Sequence, residues 1–413
     1  MRGSGALLHP GTCTEVGEHA ARGRRSRAVI KICFLITGLN TGGAETMLYR
    51  LASGLDRSRF DVKVVSLTGH GLFGARLEQK GVRVVSLGMR SGPMSLLGLW
   101  RLVSMLRAER PDILQTWLYH ADFVGLIAGW LAGVRTLAWN VRCTALNTAY
   151  RPWITYAISR LLARLSRLPN VVITNSRAGQ VTHEQIGYSP KRWEYIPNGI
   201  DTDEFRPSSE SRLALRDELG VAHNTPLIGL VARYHIVKDH DTFLRAASLL
   251  RSHKPDLHYV LAGSGINRAN TPLNELINDL DLQTHIHLLG ERGDISQIMA
   301  ALNIYVSTSS AYEAFPNVVA EAMACGVPCV VTDVGDSAEI VGRTGIVVKP
   351  GNAEAIANAC IELLELPADQ RAAIRTAARD RIGSLFSLAT ITHKYERLYN
   401  DLAKRQRCYD FMS

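Results

Sequence analysis

Long apolar runs are missing from this chain of 413 residues. None reaches the roughly 18 residues that a bilayer-spanning helix needs; the nearest, 123–134, reads as a short core helix rich in glycine and alanine. Residues 1–27 contain Arg2, Arg22, Arg24, Arg25 and Arg27 but no apolar core, which excludes a secretory signal. They read as a disordered basic leader outside the fold. Paired cysteines are missing as well. The seven (Cys13, Cys33, Cys143, Cys325, Cys329, Cys360, Cys408) are odd in number, scattered and without a C-x-x-C pair. A disulfide framework is therefore excluded, and a reducing, cytoplasmic compartment is expected.

Acid is scarce in the first half. Residues 1–200 have 26 Lys and Arg against 11 Asp and Glu, a net of +15, whereas 201–413 have 21 against 27, a net of −6. A basic first half and an acidic second half expect an anionic partner on the first half alone. No nucleic-acid motif is present, so nucleic acid is not expected and a membrane surface is. The stretch 150–170 carries Arg151, Arg160, Arg164 and Arg167 with no acid, interleaved with Trp153, Tyr156 and several leucines and isoleucines, and 94–110 adds Trp100, Arg101, Arg107 and Arg110. A basic amphipathic helix with aromatics can lie in a membrane interface, and it can equally be an ordinary helix packed on a sheet. The expectation is docking at the inner face of the cytoplasmic membrane.

What the sequence has is α/β alternation. Apolar, β-branched runs at 28–37, 62–67, 82–87, 113–115, 136–140 and 171–174, and again at 227–233, 257–261, 286–289, 303–308, 327–332 and 345–348, alternate with helical stretches. That pitch predicts two doubly wound parallel sheets, whose ligands lie at the carboxyl ends of the strands. The Pro and Gly punctuation of Ile196-Pro197-Asn198-Gly199, followed by a polar run to Ser211, reads as the boundary. The division expected is a first domain at 28–197, a second at 198–385, and a helix and tail at 386–413.

The most informative stretch runs from Glu313 to Pro328, E-A-F-P-N-V-V-A-E-A-M-A-C-G-V-P. It follows a buried strand, Pro316 suits a helix's first turn, and Gly326 with Pro328 reads as the stop. Glu313 then lies in a loop at a strand's carboxyl end and Glu321 in the helix, with first-turn amides (Asn317, Val318, Val319) between them, and such amides bind anions. Two carboxylates flanking an anion site suit a nucleotide sugar. Other segments are weaker alone. Gly42 and Gly43 follow the first strand without a full G-x-G-x-x-G, Gly263 and Gly265 form a phosphate-type turn, and Arg233 and Lys238 place two cations after a strand. His120 follows the strand at 113–115, while Asn140, Arg142, Asn175 and Ser176 are pocket candidates by position.

Together these phrases, with I-P-N-G-I-D at 196–201, closely resemble retaining glycosyltransferases of family 4, which have the GT-B fold, over roughly 30–403. Where this chain has Ala314 the family commonly has Gly. The resemblance implies that Glu313 contacts the donor sugar, Glu321 the ribose hydroxyls, and Arg233 and Lys238 the pyrophosphate. It implies that Gly42, Gly43 and His120 lie near donor or acceptor, and that the last helix crosses back onto the first domain. It implies no cofactor and no metal, so the Asp-x-Asp at Asp201 and Asp203 is not read as a metal site. The function expected is transfer of a sugar, UDP-linked by preference, to a glycan or lipid-linked acceptor. A nucleotide-sugar 2-epimerase of the same fold and a non-catalytic nucleotide-sugar-binding subunit remain open.

Overall fold

The computed structural model describes residues 29–40, 42–89, 96–142 and 153–412. The basic leader, Thr41 in the first glycine loop, and Arg151 lie outside them. The first sheet is built from β1 (Ile30–Ile36), α1 (Gly43–Gly54), β2 (Phe60–Ser66), α2 (Gly71–Gln79), β3 (Arg83–Ser86) and α3 (Leu96–Glu109). It continues through β4 (Ile113–Trp117), α4 (Tyr119–Ala132), β5 (Leu137–Val141), α5 (Trp153–Leu165), β6 (Val171–Thr174), α6 (Arg177–Gln185) and β7 (Trp193–Tyr195). The second opens with α7 (Ser209–Leu219), β8 (Leu227–Val231), a 3-10 turn at Ile236–Lys238, α8 (His240–His253), β9 (His258–Ala262), α9 (Thr271–Asp279) and β10 (Ile286–Leu288). Then come α10 (Ile295–Ala301), β11 (Ile304–Ser307), α11 (Asn317–Ala324), β12 (Cys329–Thr332), α12 (Ser337–Val341), β13 (Ile346–Val348), α13 (Ala353–Glu365), α14 (Ala368–Leu385) and α15 (Leu388–Met412).

Both sheets are wholly parallel. Their strand orders are β3-β2-β1-β4-β5-β6-β7 and β10-β9-β8-β11-β12-β13. Parallel strands are covered by crossover helices on both faces, which explains why the central ones read as continuous apolar runs: Ile32 to Ile36, Leu227 to Val231 and Cys329 to Thr332 are all buried. In each sheet the winding reverses beside the first strand of its half, between β1 and β4 and between β8 and β11. Those two switch points are where an open α/β sheet leaves a crevice at its carboxyl edge.

The chain crosses between the sheets twice, and the crossings touch. The Ile200 N–H donates to Phe386 O at 2.9 Å, and Leu388 N–H donates back to Ile200 O at 2.8 Å. A Cβ on Gly199 would stand 3.0 Å from Leu388 Cα. Beyond this point α15 returns to the first sheet, burying Ile391, Tyr395, Leu398, Tyr399 and Leu402 against Phe34, Phe60 and Trp117. Most predicted strands begin or end a residue or two off; the clearest shift is β4, which runs on through Thr116 and Trp117, because Trp117 is core.

Candidate functional site

The loops leaving the two switch points face each other. On the second sheet the loop after β8 carries Arg233, exposed two residues past the strand's end, and Lys238 at the end of the 3-10 turn. The loop after β11 carries Glu313, and Lys238 Nζ pairs directly with Glu313 Oε1. Ser309 Oγ donates to the same oxygen at 2.8 Å. The two loops are stitched together: Thr308 Oγ1 donates to Lys238 O at 2.7 Å, and Ser310 N–H to Val237 O at 2.8 Å. Tyr312, directly before Glu313, has φ +59, a region that non-glycine residues seldom occupy and that often marks functional loops.

The glycines make these loops possible. Gly263 has φ +145, and a Cβ there would fall 2.2 Å from Ala232 O. Its N–H reaches Gly290 O at 2.7 Å, and Tyr234 N–H reaches Ser264 O at 2.7 Å, so the turn after β9 lies flat on the Arg233 loop. Gly265 also lies close to Tyr234: a Cβ there would be 3.1 Å from that side chain. Under Glu313 sits Gly335, φ +61, whose Cβ would lie 2.4 Å from Glu313 O.

α11 starts just beyond Glu313, with Pro316 at its N-cap. By helix geometry the amides of Asn317 and Val318 head its first turn. The expected amide set is narrowed at Val319, whose N–H bonds Pro316 O at 3.1 Å and whose side chain is buried core. One turn on, Glu321 is 8% exposed. Arg50 of α1 stands 3.5 Å from its Oε1 and donates to Gly199 O at 3.1 Å. Burial pushes the Glu321 carboxyl up, and Arg50 opposes that rise.

From the first sheet, Gly42 caps α1 and Gly43 opens it. A Cβ on Gly42 would collide with the Glu45 carboxylate at 2.3 Å, and one on Gly43 would sit 3.7 Å from Asn317 Nδ2, so this bare turn faces the head of α11 across the cleft. Asn317 Oδ1 accepts from Asn198 Nδ2 at 2.6 Å, and Asn198 Oδ1 accepts from Arg142 and, at 3.2 Å, from Asn175. Arg142 also donates to Asn140 at 3.1 Å and lies over the Trp117 ring. Asn140, Arg142 and Asn175 thus belong to one buried network leading to α11. His120, half-buried, is in the first turn of α4, after Leu118 at φ +73. That turn is anchored by Asp122, fully buried with Thr116 Oγ1 donating to it, its carboxyl held well above the usual range by burial.

A second bridge lies at the far side of the crevice. Asp336, before α12, accepts from Ser176 Oγ at 2.9 Å and from the Arg177 and Ala178 amides at 2.9 and 3.0 Å. It therefore caps α6 of the other domain. Glu339 joins it, 3.3 Å from Arg177 and accepting from Tyr195 OH at 3.1 Å. Asp201 Oδ1 accepts the Asp203 and Glu204 amides at 3.0 and 3.1 Å, the geometry of a turn. No group of three or more His, Cys, Asp or Glu is placed to hold a metal ion among the described residues.

Sequence reasoning did not find Arg50, Asp336 or the linking role of Asn198. Their partners across the crevice are 119 or more positions away, beyond any spacing rule.

The chain matches two family profiles, Glycosyltransferase Family 4 over residues 41–204 and Glycosyl transferases group 1 over 225–366. Among curated relatives, it is 28% identical to EpsF of Bacillus subtilis, a glycosyltransferase by name, over 73% of this chain and 79% of that one. It is 25% identical to the UDP-Gal:alpha-D-GlcNAc-diphosphoundecaprenol alpha-1,3-galactosyltransferase of Escherichia coli, over 75% and 79%. Among solved structures it is similar to Anabaena Alr3699/HepE in complex with UDP and glucose, with a TM-score of 0.76, 27% identity, and 90% and 100% of the two chains covered.

Proposed function

Because the chain belongs to the group 1, family 4 glycosyltransferases and has their GT-B fold, we propose that it moves a sugar from a UDP-linked donor to a hydroxyl of a lipid-linked or glycan acceptor. In this reading the anomeric configuration is retained and the chain's own cations stand where a metal would. Two findings support the donor and acceptor classes: HepE was solved with UDP and glucose, and the Escherichia coli relative is named for UDP-galactose and a diphosphoundecaprenol acceptor.

The observation that carries the reading is the meeting, at the β8/β11 switch point, of the Lys238–Glu313 pair with the head of α11, opposite Gly43. Cleavage at the anomeric carbon leaves a nucleoside diphosphate. Arg233, Lys238 and the amides of Asn317 and Val318 stabilise its growing charge, which preorganised donors do best in a site closed to water. Gly263 and Gly265 keep the loop beside Arg233 low enough for phosphate to approach. Glu313 orients the sugar hydroxyls, and Glu321 holds the ribose once donor and Arg50 share it. His120 hydrogen-bonds the sugar from the first domain. The acceptor oxygen bonds to the anomeric carbon on the face the diphosphate leaves; as the bond between that carbon and the diphosphate oxygen breaks, the hydroxyl proton passes to the departing oxygen.

The test is turnover by the purified protein with UDP-, GDP- and ADP-sugars and a polyprenyl-diphosphate-linked sugar acceptor, the product's anomeric configuration being read by NMR. Glycoside formed from a UDP-sugar with the donor's configuration is expected. An inverted product, a 2-epimer of the donor, or no product from well-folded protein would overturn the reading.

A further inference from the structure

Of the chain's six tryptophans, Trp117 and Trp139 are wholly buried and Trp193 partly so, while Trp100, Trp130 and Trp153 are 66%, 79% and 74% exposed. The exposed three lie on α3, α4 and α5. These helices pack side by side, α3 on α4 and α4 on α5, on the face of the first sheet opposite α1 and α15. They have 14, 14 and 13 residues, each about 20 Å long, so their outer surfaces form one slab.

The middle helix presents an apolar ridge. Phe123, Leu126 and Ile127 are half-buried, and Trp130 and Leu131 are exposed beyond them; its one acid, Asp122, is buried. On one flank α3 exposes Leu96, Leu97, Trp100 and Arg101; on the other α5 exposes Trp153, Ile154, Tyr156 and Leu161 with Arg160 and Arg164. Arg167 is exposed just past α5. Arg160 and Arg107 each also donate to a backbone carbonyl, of Ile186 and Leu131. Among the described residues of the three helices, Glu109, engaged by Lys63, is the one acid at the surface. Past the end of α4, a cavity of about 760 Å³ is lined by Arg107, Arg110 and Arg135 together with one acid, Asp112, whose carboxylate accepts the Lys31 N–H at 2.7 Å.

We propose that this slab is a docking surface for an anionic lipid bilayer, which α3, α4 and α5 enter side-on with Trp100, Trp130 and Trp153 at headgroup depth and the arginines on lipid phosphates. Charge decides the occupant: a surface on which arginines far outnumber acids would repel a second copy of itself, whereas apolar ridge, tryptophans and arginines together suit a bilayer interface. Helices cross over antiparallel to their strands, so the starts of α3, α4 and α5 lie at the carboxyl edge of the sheet, where the cleft opens. The inference deepens the lipid-linked acceptor reading and rests on it for its purpose, but vesicle binding requires neither donor nor turnover.

The test is sedimentation of the full chain with phosphatidylcholine vesicles, with and without 30% phosphatidylglycerol, at low and high salt. Wild type is expected to bind anionic vesicles, with a blue shift in tryptophan fluorescence, and to be released by salt and by neutral vesicles. Each cation near an anionic surface is worth about fivefold in affinity, so Arg160→Ala with Arg164→Ala should weaken binding about 25-fold. Trp100→Ala, Trp130→Ala and Trp153→Ala combined should remove the blue shift at unchanged thermal stability. Glu313→Ala, inactive in transfer, should bind as wild type does, so a failed transfer assay and a failed membrane assay stay distinguishable. Wild type that ignores anionic vesicles, equal binding to neutral ones, indifference to these substitutions, or a dimer that the tryptophan variants abolish would each overturn the proposal.

Discussion

Glu313 is held from two sides, by the Lys238 ammonium and the Ser309 hydroxyl, before any ligand arrives. If Glu313 orients the sugar and Lys238 the leaving phosphate, Glu313→Gln should lower kcat about 100-fold while nucleotide affinity stays within a few-fold, and Lys238→Ala should lower kcat by at least as much, because it removes a phosphate cation and leaves Glu313 without its clamp. Steady-state kinetics beside UDP titration checks both. Gly335 gives a subtler test. Its φ of +61 and the 2.4 Å approach to Glu313 O mean that Gly335→Ala must push the Glu313 loop outward; about 1–3 kcal/mol of stability should be lost, with most of the activity, as thermal melts and kinetics would report. Glu313 and Lys238 were legible as loop residues beyond a strand because local spacing places them there, and their expected roles came from the family resemblance alone. Arg50 was not, since nothing in α1 says that its guanidinium will meet a glutamate 271 positions later.

At the scale of elements, the carboxyl edges of both sheets carry the site, and the amino edge of the second carries a histidine cluster. His258 opens β9 and its Nδ1 lies 2.9 Å from His287 Nε2 of β10, with the His285 ring 5.3 Å from that of His258. Burial lowers His258 and takes His287 to about 4, and burial also takes His240, at the head of α8, to about 4. The native rings therefore bind protons more weakly than unfolded ones, whose pKa is near 6.5, so the unfolded chain takes up the extra protons. Stability should be full above about pH 6.5 and fall as pH drops toward 4, and His287→Gln should flatten that fall in melts run across the range. Strands and helices at this level were legible nearly throughout, because buried parallel strands must be apolar on both faces. Cross-domain caps were not. Asp336 caps α6 from the other domain, and Asp336→Ala should cost about 1–2 kcal/mol and raise the KM for donor more than it lowers kcat.

At the scale of the molecule, two parallel sheets are joined by paired crossings at Ile200 and Phe386–Leu388 and bridged over the crevice by Arg50–Glu321, Asn198–Asn317 and Asp336 with the start of α6. A hinge so narrow, with polar bridges rather than a broad apolar interface, suits domains that open to exchange nucleotide and close to keep water from the donor. The charge asymmetry, +15 then −6, was legible by counting. What counting could not supply was the apolar ridge of α4, because its residues read as ordinary core until the fold left Trp130 outside. If the crevice between the switch points is a uridine nucleotide-sugar site, calorimetric titration of wild type and Glu321→Gln with UDP, GDP and ADP will show it. The account predicts micromolar UDP binding, weakened about tenfold or more in the variant, which loses a charge-assisted bond to ribose, with GDP and ADP weaker in both. Well-folded protein that binds none of the three, or a variant that binds UDP as wild type does, would contradict it.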